Sequence, residues 1–374
     1  MHNRVLSASP AMLSMDMRAV SLIKGGRMLK SYRFNLVEVI AFTLLVMLVG
    51  IVGIASVAAA EAAGTAIKID GSSTLYPITE AVAENFQNSK KGSVKVTVGV
   101  SGTGGGFTKF CRGEIDIANA SRPIQKKEMK ACNKAGVEYV ELPVAFDALT
   151  VVVNPKNDWS KTMTVKELEK MWEPAAQGRI TRWNQVNRSW PDETFKLYGP
   201  GPASGSFDYF TQAIIGKSKS SRADFTAFED HNVLVQNVVA DKNALAFVGF
   251  GYYVANQEKV RAVAIDDGRA GGVLPSAETI EDGTYQPLSR PIFIYVNMKA
   301  AERPEVKEFV TFYMKNASML VKESHYFPLP PRAYAANMEF FKTKRLGTVF
   351  DGFLPVGLTI DDLLKREARL EYGN

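Results

Sequence analysis

Metal ligands are scarce in this chain. Its 374 residues hold two cysteines, Cys111 and Cys132, and three histidines, His2, His231 and His325. They are too scattered to form a ligand cluster, which argues against a metal centre, and no cofactor is expected. Charge of one sign is scarce too. Six of the 45 basic and two of the 39 acidic side chains lie in residues 1–60, which leaves 39 against 37 and a net charge of +2 for the rest. No stripe of Lys and Arg argues for nucleic acid or an anionic membrane. Catalytic signatures are missing as well. Gly99-Val100-Ser101-Gly102-Thr103 breaks the G-x-S-x-G elbow, and Gly201-Pro202-Ala203-Ser204-Gly205 has the wrong spacing. Phe107 separates the glycines from Thr108-Lys109, so there is no phosphate-loop lysine.

What the chain does have begins with a leader. Lys30 and Arg33 precede a run that is apolar from Val39 to Val57 apart from Thr43 and Ser56, and the run closes on Ala58-Ala59-Ala60. A basic region, an apolar region and an A-x-A site describe a secretory signal, with cleavage near Ala60 and a periplasmic destination. Met28 offers a conventional start, which would make residues 1–27 an extension. The competing reading is an uncleaved anchor, since the run nearly matches a bilayer span; the alanine cluster favours cleavage. Both cysteines fall in the exported part, where a single pair forms a bond. Closing that loop is worth roughly 3 kcal/mol on the chain-entropy model.

Beyond the leader, short apolar runs alternate with helical patterns. AIKID, VKVTVGV, EIDIANAS, KNALAFVGF and PIFIYVNM read as strands. PITEAVAENFQ places Ile78, Val82 and Phe86 on one helical face, and Phe207, Phe210 and Ile214 repeat that spacing. Thr164 and Glu167 have capping-box spacing. EYVELPVAFDALTVVVNP reads as a strand passing through a connection into another strand, and the tail from Arg345 as a surface wrap. The alternation predicts α/β layers with much parallel sheet.

Three loops share one design. Gly71-Ser72-Ser73-Thr74, Ser101-Gly102-Thr103-Gly104-Gly105 and Ser204-Gly205-Ser206 each precede a helix. Each places small and hydroxyl residues where the first helical amides have no intrahelical partner. Singly they read as ordinary caps; together they point to one oxyanion site. A fourth loop puts Ser121 and Arg122 at the carboxyl end of a strand, where α/β sheets bind ligands. Arg122 has a second reading, as a salt bridge or surface charge.

The segments GSSTLYPITEAVAENF, VSGTGGGFTKFCRGEIDIANASRPI, ELPVAFDALTVVVNP, ASGSFDYFTQAI and PLSRPIFIYV together resemble the periplasmic phosphate-binding proteins of ABC transporters. The resemblance implies a two-lobed α/β protein, hinged by two crossing strands, that closes over one phosphate and passes it to a membrane permease as a monomer. It implies a first lobe of residues 61–146 plus 292–374 and a second of 147–291. Site residues carried over are Ser73, Thr74 and Leu75, then Thr103 with Ser101 and Gly104 beside it, then Ser121, then Ser204, Gly205 and Ser206.

Two departures stand out. Well-known members have an aspartate in the third loop, which accepts the proton of dibasic phosphate, and an arginine shortly before the last serine-glycine loop. Here the third loop carries Ser121-Arg122, and GPGPA before Ser204 has no arginine. Arg122 then becomes the candidate cation and Asp147 the candidate proton acceptor. Asp147 can equally cap a turn or pair with Arg290. A secreted phosphate-ester hydrolase and a phosphate-binding surface or adhesion protein are the rival classes.

Overall fold

In this computed structural model the described residues are 66–369, so the expected signal segment and the expected cleavage near Ala60 lie outside them. The main strands are β1 (Ala66–Gly71), β2 (Lys95–Val98), β3 (Ile117–Ala120), β4 (Tyr139–Val153), β5 (Lys196–Gly199), β6 (Thr226–Ala227), β7 (Ala244–Gly249) and β8 (Ser289–Asn297). Their order across the sheet is β2-β1-β3-β8-β4-β7-β5-β6. The triplet β2-β1-β3 is parallel, as is β7-β5-β6, and β8 and β4 run antiparallel between the two triplets.

β4 is one strand of 15 residues, all buried, where the sequence suggested two strands and a connection. Residues 139–148 pair with β8, and residues 149–153 pair with β7. The change of partner at Leu149 needs no break in the backbone. Pro143, which lacks an N–H, is absorbed by a register shift between Ile292 and Phe293.

The helices that matter to the site are α1 (Tyr76–Ser89), α2 (Gly102–Phe110), α3 (Lys126–Lys134), α4 (Val165–Trp172), α5 (Gly205–Ile215), α6 (His231–Ala240), α7 (Phe250–Val254) and α8 (Pro304–Glu323). α1 buries Ile78, Val82 and Phe86 against α8, where Phe86 meets Phe309 edge-on. The capping box of α4 is formed: Glu167 N donates to Thr164 Oγ1 (3.1 Å) and Thr164 N to Glu167 Oε2 (2.8 Å). Trp172 at its end packs on Phe210 and Phe247. The Cys111–Cys132 disulfide ties the end of α2 to α3. No helix of the described residues is long and apolar enough to cross a membrane.

The tail does lie along the body. Thr348 Oγ1 and Val349 N donate to Glu141 on β4 (2.6 and 3.2 Å), and Gly357 N donates to the Tyr209 hydroxyl on α5 (3.3 Å).

Candidate functional site

The parallel strands deliver their carboxyl ends to one place. β1 ends in Ser72–Thr74, β2 leads to Ser101–Gly104, β3 to Ser121-Arg122 and β5 to Ser204–Ser206. The glycines of the second loop have steric reasons. Gly102 has φ +73°, and a Cβ on it would fall 2.7 Å from the carbonyl oxygen of Ala203; a Cβ on Gly106 would fall 2.6 Å from Gly71 Cα. A side chain at either would push the loops apart.

Four fully buried hydroxyls meet there. Thr74 Oγ1 lies 3.0 Å from Ser206 Oγ, and Thr103 Oγ1 lies 3.1 Å from Ser121 Oγ. Ser121 N donates to Thr103 Oγ1 (3.1 Å). Gly205 joins the two pairs, because a Cβ there would sit 2.5 Å from both Ser121 Oγ and Thr103 Oγ1. Ser204 caps α5 by accepting from Ser206 N (3.1 Å). Leu75 is buried at the start of α1, and Ser73 lends its carbonyl to the Tyr252 hydroxyl (2.9 Å). The Gly104 N–H donates to Ala203 O (2.9 Å), fastening the second loop to the fourth.

The cation among these hydroxyls is Arg290, the first pair of residues in β8 being Ser289-Arg290. Its Nη2 donates to Ser206 Oγ (2.7 Å), Thr74 Oγ1 (3.4 Å) and Asp147 Oδ2 (2.9 Å); Nη1 donates to Gly205 O (3.0 Å) and Nε to Asp147 Oδ2 (3.2 Å). Strand pairing sets Arg290 directly opposite Asp147. Of the readings left open for Asp147, the geometry displays both the pairing with Arg290 and a backbone bond, from Phe250 N to Asp147 Oδ1 (3.3 Å). Burial pushes the Asp147 carboxyl up, and Arg290 and the Phe250 amide pull against that.

Two sequence candidates sit differently from their expected roles. Arg122 does not project into the hydroxyl cluster as its cation. It donates from Nε to Asp208 Oδ2 (2.6 Å), and from Nη1 and Nη2 to Glu128 (2.8 Å each). Burial opposes its charge, but the hydrogen bonds and charges of Glu128 and Asp208 outweigh it and hold the guanidinium protonated. Lys219 adds a second cation 3.3 Å from Asp208 Oδ1. Two carboxylates, from α3 and α5, converge on this one arginine, which matches its second reading as a salt bridge. Ser101 is the other case. Its hydroxyl turns away to donate to Asp70 Oδ1 (2.7 Å), beside an ion pair of Asp70 with Lys109.

His231 on α6 closes the far side. Its Nδ1 accepts from Gly249 N (3.0 Å), and burial, helped by Arg290, drives its pKa down to about 3. The imidazole is therefore neutral, with its acceptor nitrogen already engaged, and has no free base to offer a serine. Among the described residues no group of His, Cys, Asp and Glu could hold a metal ion. The arrangement is a buried cluster of hydroxyls around a paired guanidinium, which suits a small oxyanion. Arg290 is the cation of the hydroxyl cluster that sequence reasoning underweighted. Its signal was present, in PLSRPIFIYV.

The family described as PBP superfamily domain matches residues 56–317. Protein SphX of Synechocystis sp. is 53% identical over 307 residues, 82% of this chain and 91% of that one. The phosphate-binding protein PstS of Staphylococcus saprophyticus is 35% identical over 269 residues, 72% and 82% of the two chains. Among solved structures, a possible phosphate-binding protein from Planctomyces limnophilus is 46% identical with a TM-score of 0.56, covering 74% of this chain and 98% of its own.

Proposed function

We propose that this chain, which belongs to the PBP superfamily and within it to the family of protein SphX and the phosphate-binding protein PstS, captures inorganic phosphate in the closed cleft outside the cytoplasm and delivers it to the permease of an ABC importer. The observation that carries this reading is the convergence of Thr74, Thr103, Ser121 and Ser206, all fully buried, on Gly205 and Arg290. Hydroxyls donate and accept, so they can follow the protonation of a phosphate oxygen, and a dry site strengthens each charge-assisted bond.

The lobes are residues 61–146 plus 292–374 and residues 147–291, hinged where Phe146 pairs with Pro291. Ligand contacts come from Ser73, Thr74, Leu75, Thr103, Gly104, Ser121, Ser204, Gly205 and Ser206, with Arg290 as the cation. Arg122 and Ser101 support the loops through Asp208, Glu128 and Asp70. Asp147 takes the phosphate proton that sulfate lacks, which rejects sulfate by opposing lone pairs. The chain acts as a periplasmic monomer after cleavage near Ala60. It is a binding protein rather than a hydrolase, because the acceptor nitrogen of His231 is engaged by the Gly249 amide and Asp70, the carboxylate beside the Ser101 hydroxyl, is paired with Lys109.

Calorimetric titration of the exported protein with phosphate and sulfate, beside an assay for phosphate release from esters, tests the reading. One phosphate bound per chain, sulfate excluded and no ester cleaved is the expected result. Ester turnover, or no heat with phosphate, overturns it.

A further inference from the structure

Tyr326 is buried beside the site, and its hydroxyl has no hydrogen-bond partner among the described residues. It follows α8 and precedes the short strand Phe327–Pro328, which pairs with Phe146 and Ala145 of β4. That register brings Tyr326 alongside Asp147. Its ring edge lies against Gly251.

Gly249, at the end of β7, has φ −64° and ψ 147°, a conformation any residue adopts. A Cβ on Gly249 would lie 3.5 Å from the Tyr326 hydroxyl, 3.5 Å from Asp147 Oδ1 and 3.6 Å from Thr74 Cγ2, all ordinary contacts. Neither backbone nor crowding therefore requires glycine. What glycine does is leave the phenol, the carboxylate and Thr74 facing one another with no side chain between them.

We propose that the Tyr326 hydroxyl is a further donor to the bound oxyanion, reaching the corner between Asp147 and Thr74 across the face that Gly249 keeps bare. The inference rests on the phosphate reading above. A buried donor left unpaired is costly, and a ligand oxygen at this corner would satisfy it. Burial and the nearby Asp147 charge push the phenol well above its ordinary pKa, so it keeps its proton. Being neutral, it adds a directional donor without adding charge.

Tyr326→Phe keeps the ring and removes only the hydroxyl. Phosphate affinity, by calorimetry, should fall roughly tenfold to a hundredfold. Urea unfolding without phosphate should be unchanged or shifted upward, because the lost group had no partner. Gly249→Ala should weaken binding to a similar degree by placing a methyl before the hydroxyl, again with unliganded stability retained. Wild-type affinity in Tyr326→Phe overturns the proposal, and so does a loss of unliganded stability with affinity intact, which would make the hydroxyl structural. If the unmodified chain bound no phosphate, the phosphate reading would fall and this one with it; the unmodified chain binding while Tyr326→Phe binds equally well removes this one alone.

Discussion

Replacing Arg290 by glutamine strikes the proposed site at its centre, and its two consequences can be measured apart. The guanidinium donates twice to Asp147 Oδ2, at 2.9 and 3.2 Å, and also to Ser206, Thr74 and Gly205 O. Glutamine removes the charge and most of these donors. Breaking a buried ion pair from one side costs about 3–5 kcal/mol, since the remaining charge is stranded. Asp147 can escape part of this by taking a proton, and burial already pushes its carboxyl in that direction; the loss should fall at the lower end. Binding loses its cation separately. A charge-assisted hydrogen bond to a buried anion contributes roughly 1.5–3 kcal/mol, so affinity should drop about tenfold to a hundredfold or more. Adding Asp147→Asn to the same protein removes the stranded charge and should restore most of the stability while binding stays weak. Urea unfolding without phosphate reads the first effect, and calorimetric titration reads the second. A stable double variant that binds phosphate as the unmodified protein does would refute the placement of the ligand at Arg290.

Glu141 offers a test of pH dependence. Burial, reinforced by Glu367, lifts its pKa to about 8, against hydrogen bonds from Thr348, Tyr295 and Val349. The folded state thus holds a proton that the unfolded chain releases near its ordinary value of 4.5, so this group's stabilisation is complete below about pH 4.5 and is lost as pH rises through about 8. Urea midpoints across that window should fall more steeply than in Glu141→Gln, and equal slopes would contradict the burial argument. Replacing Cys111 and Cys132 by serine should lower stability by roughly 3 kcal/mol, read by the same unfolding assay, with phosphate affinity little changed because the bond ties α2 to α3 outside the hydroxyl cluster. Intact mass of exported protein should correspond to a chain beginning at Glu61; a mass retaining residues 28–60 would indicate a membrane-tethered form.

Local patterns in the sequence were enough for the elements and for most of the loops. The Ile78, Val82, Phe86 spacing, the Thr164–Glu167 capping box and the hydroxyl-rich turns each act within a few residues, where side-chain chemistry and backbone geometry are coupled directly. The order of the phosphate-family motifs was legible for the same reason. Tertiary structure alone decided which arginine lies among the buried hydroxyls. Arg122 is adjacent to a site serine in the chain, yet Asp208, 86 residues away, and Glu128 claim it. Arg290 reaches the hydroxyls because strand pairing sets it against Asp147, 143 residues earlier. Both arginines are charge-paired, Arg122 with Glu128 and Asp208 and Arg290 with Asp147, and Arg290 is the one also turned toward Thr74 and Ser206. Tertiary partners likewise place Ser101, drawn away by Asp70, and β4, whose single span across both halves of the sheet is set by its changing partners. Apart from Glu128, which follows Arg122 closely in the chain, those partners lie far apart in sequence, and burial and pairing bring them together only once the sheet has formed.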